Sequence, residues 1–182
     1  MSVRMEIIRA FKAMVLDKNT KISVSMICNK INISRKTFYK YFLDIEDLIS
    51  TIIHEEIFVS LEEISTMHHL KVEDSITVLN SMYSKIYDER TFYTNLYYLF
   101  DKDYIFNKCW YKELQKLNNQ ILKTAHKNEI EAEYHVHLAA MSGLALIEKW
   151  IDDDFTLTSR EISEIFYKYV VRAWVELIDT YR

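Results

Sequence analysis

The residues best placed to do chemistry lie in the run Ser34-Arg35-Lys36-Thr37-Phe38-Tyr39-Lys40-Tyr41-Phe42. Ser34 is a type that caps a helix N-terminus. Phe38 and Phe42 stand four apart, so both fall on one face of the helix that follows. So short a helix is anchored only if those rings point inward, which turns Arg35, Lys36, Tyr39 and Lys40 outward. Arg35 and Lys36 sit at the N-terminal end, where recognition helices meet base edges and backbone N–H groups meet phosphate. The chemistry predicted is recognition of a polyanion.

Other reactive types are arranged less productively. His68-His69 and His135-x-His137 are the histidine clusters, and helix neighbours one or two apart point in different directions, so no metal site is expected. A single glycine rules out a glycine-rich phosphate loop, and no nucleophile elbow or zinc-binding helix motif occurs. Neither an enzyme nor a cofactor is expected. Cys28 and Cys109 are too few for a disulfide framework and read as buried, reduced thiols of a cytoplasmic protein, with a redox role for Cys109 as the alternative.

The elements that must hold the recognition run follow from composition and periodicity. The chain has 182 residues, 49% hydrophobic and 27% charged, with one glycine and no proline. Almost nothing supplies the tight turns of a β-rich fold, so the fold class is all-α, with about nine helices. No apolar run reaches the roughly 20 residues of a membrane span, and the first residues show no secretory h-region. Charge divides unevenly: residues 1–43 carry nine Lys or Arg against Glu6 and Asp17, a net of +7, leaving −11 for the rest. A basic segment joined to an acidic one fits a phosphate-binding unit attached to a unit with another task.

Ile7, Ile8, Phe11, Met14 and Val15 mark one face of a first helix. Ser23 caps a second, with Val24, Ile27, Cys28 and Ile31 inward, and Asn32 ends it in the left-handed conformation. Ser34 caps a short third helix ending near Phe42. Asp44 and Asp47 form a near capping box for a fourth, about 45–66. Two short capped helices joined by a tight turn make a helix-turn-helix, whose second helix fits a major groove about 12 Å wide. Further helices are predicted at about 73–89, 91–100, 103–127, 130–152 and 159–180.

At this point the sequence resembles the TetR/AcrR family of repressors. Thr37-Phe38-Tyr39-Lys40-Tyr41-Phe42 is similar to that family's Thr-hydrophobic-Tyr-x-(Tyr/His)-Phe motif, and Asp44-x-x-Asp47-Leu48 resembles the start of its fourth helix. The resemblance covers roughly residues 5–58. It implies that Ser25, Arg35, Lys36 and Thr37 read bases and that Tyr39, Lys40 and Tyr41 hold phosphates, with Ser34 at the same interface. Four positions depart from the pattern: Asn32 replaces the turn glycine, Cys28 a small residue, Leu43 the proline, and Ile45 a basic residue. The phosphate contact of that last position is not carried over.

Beyond residue 70 the resemblance is to the family's helical dimerisation and ligand domain. It implies a DNA-binding domain over 1–58, an effector and dimerisation domain over 59–182, and a homodimer on double-stranded operator DNA. Leu138, Met141, Leu144, Ile147 and Ile151 are expected to form one dimer stripe, with Ile162, Ile165, Phe166, Tyr169, Ala173 and Leu177 as the other. Mid-helix Gly143 points to a close helix approach. Tyr83, Tyr87, Tyr97, Trp110 and Met141 are candidate lining for a small aromatic or amphipathic effector, against the competing expectation that such aromatics pack the core. The function expected is a sequence-specific transcriptional regulator, a repressor released by an effector. The competing readings are control by a protein partner or by abundance, and a helical bundle that binds no DNA.

Overall fold

A computed structural model describes residues 2–18, 21–59, 72–122 and 129–172. Nine α-helices stand in chain order among them: α1 Val3–Leu16, α2 Val24–Lys30, α3 Arg35–Phe38, α4 Ile45–Ile53, α5 Val72–Asp88, α6 Arg90–Leu99, α7 Asn107–Leu122, α8 Glu129–Asp152 and α9 Ser159–Phe166. No strand occurs among the described residues. Three π-helical stretches join them: His54–Phe58 continues α4, Asp101–Phe106 leads into α7, and Tyr167–Val171 continues α9. Periodicity did not predict these wider turns.

α1 to α4 form around a compact apolar centre. Ile7, Ile8, Phe11, Met14 and Val15 are all buried, as their spacing requires, and so are Ile27, Cys28, Phe38, Phe42, Leu48 and Ile49. This centre is continuous with the core of α5 to α9, so one connected set of buried side chains runs from Ile7 to Phe166.

Two sets of polar contacts fasten α1–α4 to the remainder. On one side Lys12 pairs with Glu56 at 2.8 Å and with Glu89, and Asn95 Nδ2 donates to the Val15 carbonyl at 3.1 Å. On the other, Lys108 of α7 pairs with Glu46 at 2.8 Å and Glu113 of α7 meets His54. Burial works to lower the Lys12 pKa, but Glu56 and Glu89 outweigh it and raise the value.

Gly143 has the close neighbours its position suggested. A Cβ there would lie 3.3 Å from a methyl of Leu114 on α7 and 3.6 Å from the Phe166 ring. The stripe expected on α8 does not lie on one exposed face. Leu144, Ile147 and Ile151 are buried, whereas Ile130, Tyr134, Leu138 and Met141 are 68%, 69%, 60% and 44% exposed. On the last helix Ile162 and Phe166 face inward, while Ile165 and Tyr169 face outward. The reason is packing: α8 lies on α7, where the Asn107 amide donates to Glu148 at 2.7 Å, and the α8 face toward α7 is not free for a second copy. His68, His69, Ala173 and Leu177 lie outside the described residues.

Candidate nucleic-acid interface

The interface is built from caps and a turn. Ser23 Oγ accepts from the Met26 N–H at 3.3 Å and starts α2. At the other end Asn32 takes φ 53°, the left-handed conformation. Its N–H donates to the Asn29 carbonyl at 3.4 Å, and the next N–H, of Ile33, reaches back to the Cys28 carbonyl at 3.0 Å. These two bonds are a Schellman closure, which asparagine supports in place of glycine. The helix stops, and the chain leads straight into the cap of α3.

Ser34 Oγ accepts from the Thr37 N–H at 3.0 Å and lies 2.9 Å from Thr37 Oγ1. Regular α-helix spans only Arg35–Phe38, shorter than the spacing predicted. Beyond it the Lys40 and Tyr41 N–H groups reach back three residues, to the Thr37 and Phe38 carbonyls, and the Phe42 N–H also ends on the Phe38 carbonyl, at 3.1 Å. This tighter winding keeps both phenylalanines inward: Phe38 is 0% exposed, Phe42 2%, and their ring centroids are 5.8 Å apart. Arg4 of α1 lies over the Phe42 ring at 5.6 Å.

With the rings turned in, the candidate contact residues share the outer side. Ser25, Ser34, Arg35, Lys36, Tyr39, Lys40 and Tyr41 are exposed and Thr37 is half-buried beneath the cap. Arg35 Nη2 donates to the Tyr39 hydroxyl at 3.2 Å, a link sequence reasoning missed, although its four-residue spacing is the available signal. Burial pushes the Cys28 thiol pKa up, while the nearby Arg35 guanidinium pulls it down. Asp44 Oδ1 accepts from the Asp47 N–H at 2.8 Å, and Asp47 reciprocates one residue earlier than a capping box would, accepting from the Leu43 N–H at 2.9 Å. That pair sets the corner from α3 into α4. An exposed guanidinium, two exposed ammonium groups and two phenols over an apolar anchor are equipped to bind phosphates and base edges together.

The candidate effector residues fall into two places. Tyr83 and Tyr87 both contact Trp150, at ring separations of 5.7 and 6.0 Å, with Phe155 and Phe166 alongside. Tyr97 and Trp110 both contact Phe106, at 5.1 and 5.9 Å, and Trp110 also meets Phe58 and Tyr93. Met141 belongs to neither group and lies on the exposed face of α8. Tyr83 is fully buried, which pushes its phenol pKa well up. The Tyr83 hydroxyl and Trp110 Nε1 have no hydrogen-bond partner among the described residues.

Comparison with known proteins bears on the chain as a whole. Residues 73–172 match the TetR-type transcriptional regulator C-terminal region. Among solved structures the chain is similar to the dihydroxyacetone kinase operon activator DhaS, with TM-score 0.57 and 20% identity over 98% of this chain and 97% of that one. A TetR-family transcriptional regulator from Marinobacter aquaeolei VT8 gives TM-score 0.47 and 17% identity over 100% of both chains. No curated protein matches. The C-terminal match spans more than half of the sequence, and the all-helical architecture agrees with it. The chain therefore belongs to the TetR family of transcriptional regulators.

Proposed function

We propose that the protein is a repressor that binds double-stranded operator DNA as a homodimer and leaves it when a small aromatic or amphipathic effector binds. In this reading Ser25, Ser34, Arg35, Lys36 and Thr37 face the bases, and Tyr39, Lys40 and Tyr41 face the backbone. The work divides between a DNA-binding domain at 1–58 and an effector and dimerisation domain at 59–182, in a cytoplasmic protein. One observation carries the proposal: Phe38 and Phe42 are buried while every cation of the third-helix segment is exposed on the opposite side.

One recognition helix reads too few bases alone, so a second copy docks about one helical turn away, roughly 34 Å. The exposed apolar stripe Ile130, Tyr134, Leu138 and Met141, and Tyr169 at 70% exposed, support pairing through α8 and the α9 extension. Among the described residues the buried Tyr83 hydroxyl and the buried Trp110 Nε1, one in each aromatic group, lack partners, which supports a ligand that supplies one of them. The fastenings of α1 to α6 and of α4 to α7 would carry its effect to the recognition helix. A ligand releases DNA only by binding one arrangement of the dimer better, with usual couplings of about 1–3 kcal/mol.

Fluorescence anisotropy on duplexes selected from a randomised library tests the proposal. The expected result is preferential binding with a steep loss of affinity between about 50 and 200 mM salt. Equal, weak binding of all duplexes would sink it. For a release ligand, operator DNA must weaken ligand binding by the factor by which the ligand weakens DNA binding.

A further inference from the structure

Resemblance groups Tyr39 with the residues that hold phosphate, yet the structure gives it a second task. Its hydroxyl accepts a hydrogen bond from Arg35 Nη2 at 3.2 Å, and the guanidinium carbon lies 5.9 Å from the centre of its ring. The ring is itself braced. It meets the Phe38 ring edge-on, at 5.6 Å and 89°, and Phe38 is 0% exposed. A side chain that is 46% exposed is thus supported on a buried anchor and supports an exposed arginine in turn.

A phenol has one proton to donate and lone pairs to accept with. Arg35 occupies the accepting side, so the O–H remains for another acceptor, and on DNA the abundant acceptors along the groove edge are phosphate oxygens. We propose that Tyr39 is the positioning residue for Arg35: its oxygen holds the guanidinium in place for a base edge while its proton goes to a phosphate. Backbone contact and base reading are then joined in one side chain. A phosphate in the correct register orients the phenol, the phenol orients the arginine, and only then is the base pair read. This rests on the proposed recognition by the third-helix segment and adds to it the means by which Arg35 is aimed.

The test compares wild type, Tyr39→Phe, Arg35→Ala and the double variant, each as the full chain. The readout is the base preference at every position of a randomised duplex library. Phenylalanine keeps the ring against Phe38, so the fold is retained. Tyr39→Phe is expected to flatten preference at the same position that Arg35→Ala flattens. The size expected is about two- to tenfold, the cost of immobilising one long side chain that is no longer held. In the double variant Tyr39→Phe should flatten that position no further. A uniform loss of affinity with an unchanged preference profile would overturn the proposal, leaving Tyr39 as a phosphate contact only. An unchanged profile in Arg35→Ala would overturn the recognition reading itself, and the proposal with it. NMR relaxation of the Arg35 Nε–H in DNA-free protein separates the two failures. Greater motion in Tyr39→Phe is expected, and unchanged order would refute the pair independently of DNA.

Discussion

His54 Nδ1 lies 2.9 Å from a carboxylate oxygen of Glu113, joining the point where α4 widens into its π-helical end to the middle of α7. The Glu113 side chain is 2% exposed, and its other oxygen takes Lys116 Nζ at 2.7 Å. A buried oxygen that loses its partner costs about 1–3 kcal/mol in desolvation, and Lys116 stays on the other Glu113 oxygen. His54→Ala is expected to lower unfolding free energy toward the lower end of that range, because the imidazole is 33% exposed and water replaces it in part. Urea denaturation measures the loss, and a change below about 0.5 kcal/mol, the usual size for a surface substitution, would show that the pair does not hold α4 to α7.

The two kinds of DNA contact separate by their effect on sequence preference. Arg35→Ala should cost about 1–3 kcal/mol on the selected operator and relax preference at one position. Lys40→Ala should weaken all duplexes alike and lower the salt slope by about one unit per half-site. Binding isotherms at several salt concentrations resolve the pair. An Arg35→Ala protein with unchanged affinity and preference would remove the recognition assignment.

The exposed face of α8 predicts where the proposed dimer opens. Leu138 is 60% exposed at the centre of the stripe, between Tyr134 and Met141. Leu138→Glu places a charge in the proposed interface while leaving the buried Ala139 and Ala140 side untouched. Sedimentation at micromolar protein is expected to show dimer for the wild type and monomer for the variant, with operator affinity lost in parallel. A wild-type chain that sediments as a monomer and still binds operator would contradict the arrangement.

Cys109 is predicted to be unreactive. Burial is the main reason its thiol pKa rises to about 11, and its Sγ faces the Glu46 carbonyl at 3.7 Å. The thiolate is the reactive form, so folded protein at pH 8 should resist alkylation at this position while unfolded protein reacts. An unfolded cysteine loses its proton near pH 8.5, whereas folded Cys109 keeps it until about 11. Between those values the folded state binds more protons, so this group's contribution to stability falls as pH rises. Mass spectrometry after brief iodoacetamide treatment checks the site. Rapid labelling of native Cys109 at pH 8 would reinstate a redox role.

Much of the recognition unit was legible in order along the chain because its determinants are local. Caps at Ser23, Ser34 and Asp44, the left-handed Asn32 and the four-residue spacing of Phe38 and Phe42 each act within one or two helical turns. Helix positions at 73–89, 91–100 and 130–152 followed from apolar periodicity and agree with the structure to within a residue or so at each end. What the sequence by itself determined is therefore the all-α class, the turn, and which side of the third-helix segment faces out.

Only the tertiary structure decided which face of each long helix is left over. Periodicity shows that α8 has apolar residues all around it, and cannot say that Leu144 and Ile147 go inward while Leu138 and Met141 stay out. That choice depends on α7, whose Leu114 and Asn107 meet Gly143 and Glu148 from a distance of about 30 to 40 residues along the chain. The same holds for Asn95 on the Val15 carbonyl, and for Glu46 and His54 on α7. Each joins segments dozens of residues apart, and a partner chosen by packing leaves no periodic trace in the sequence.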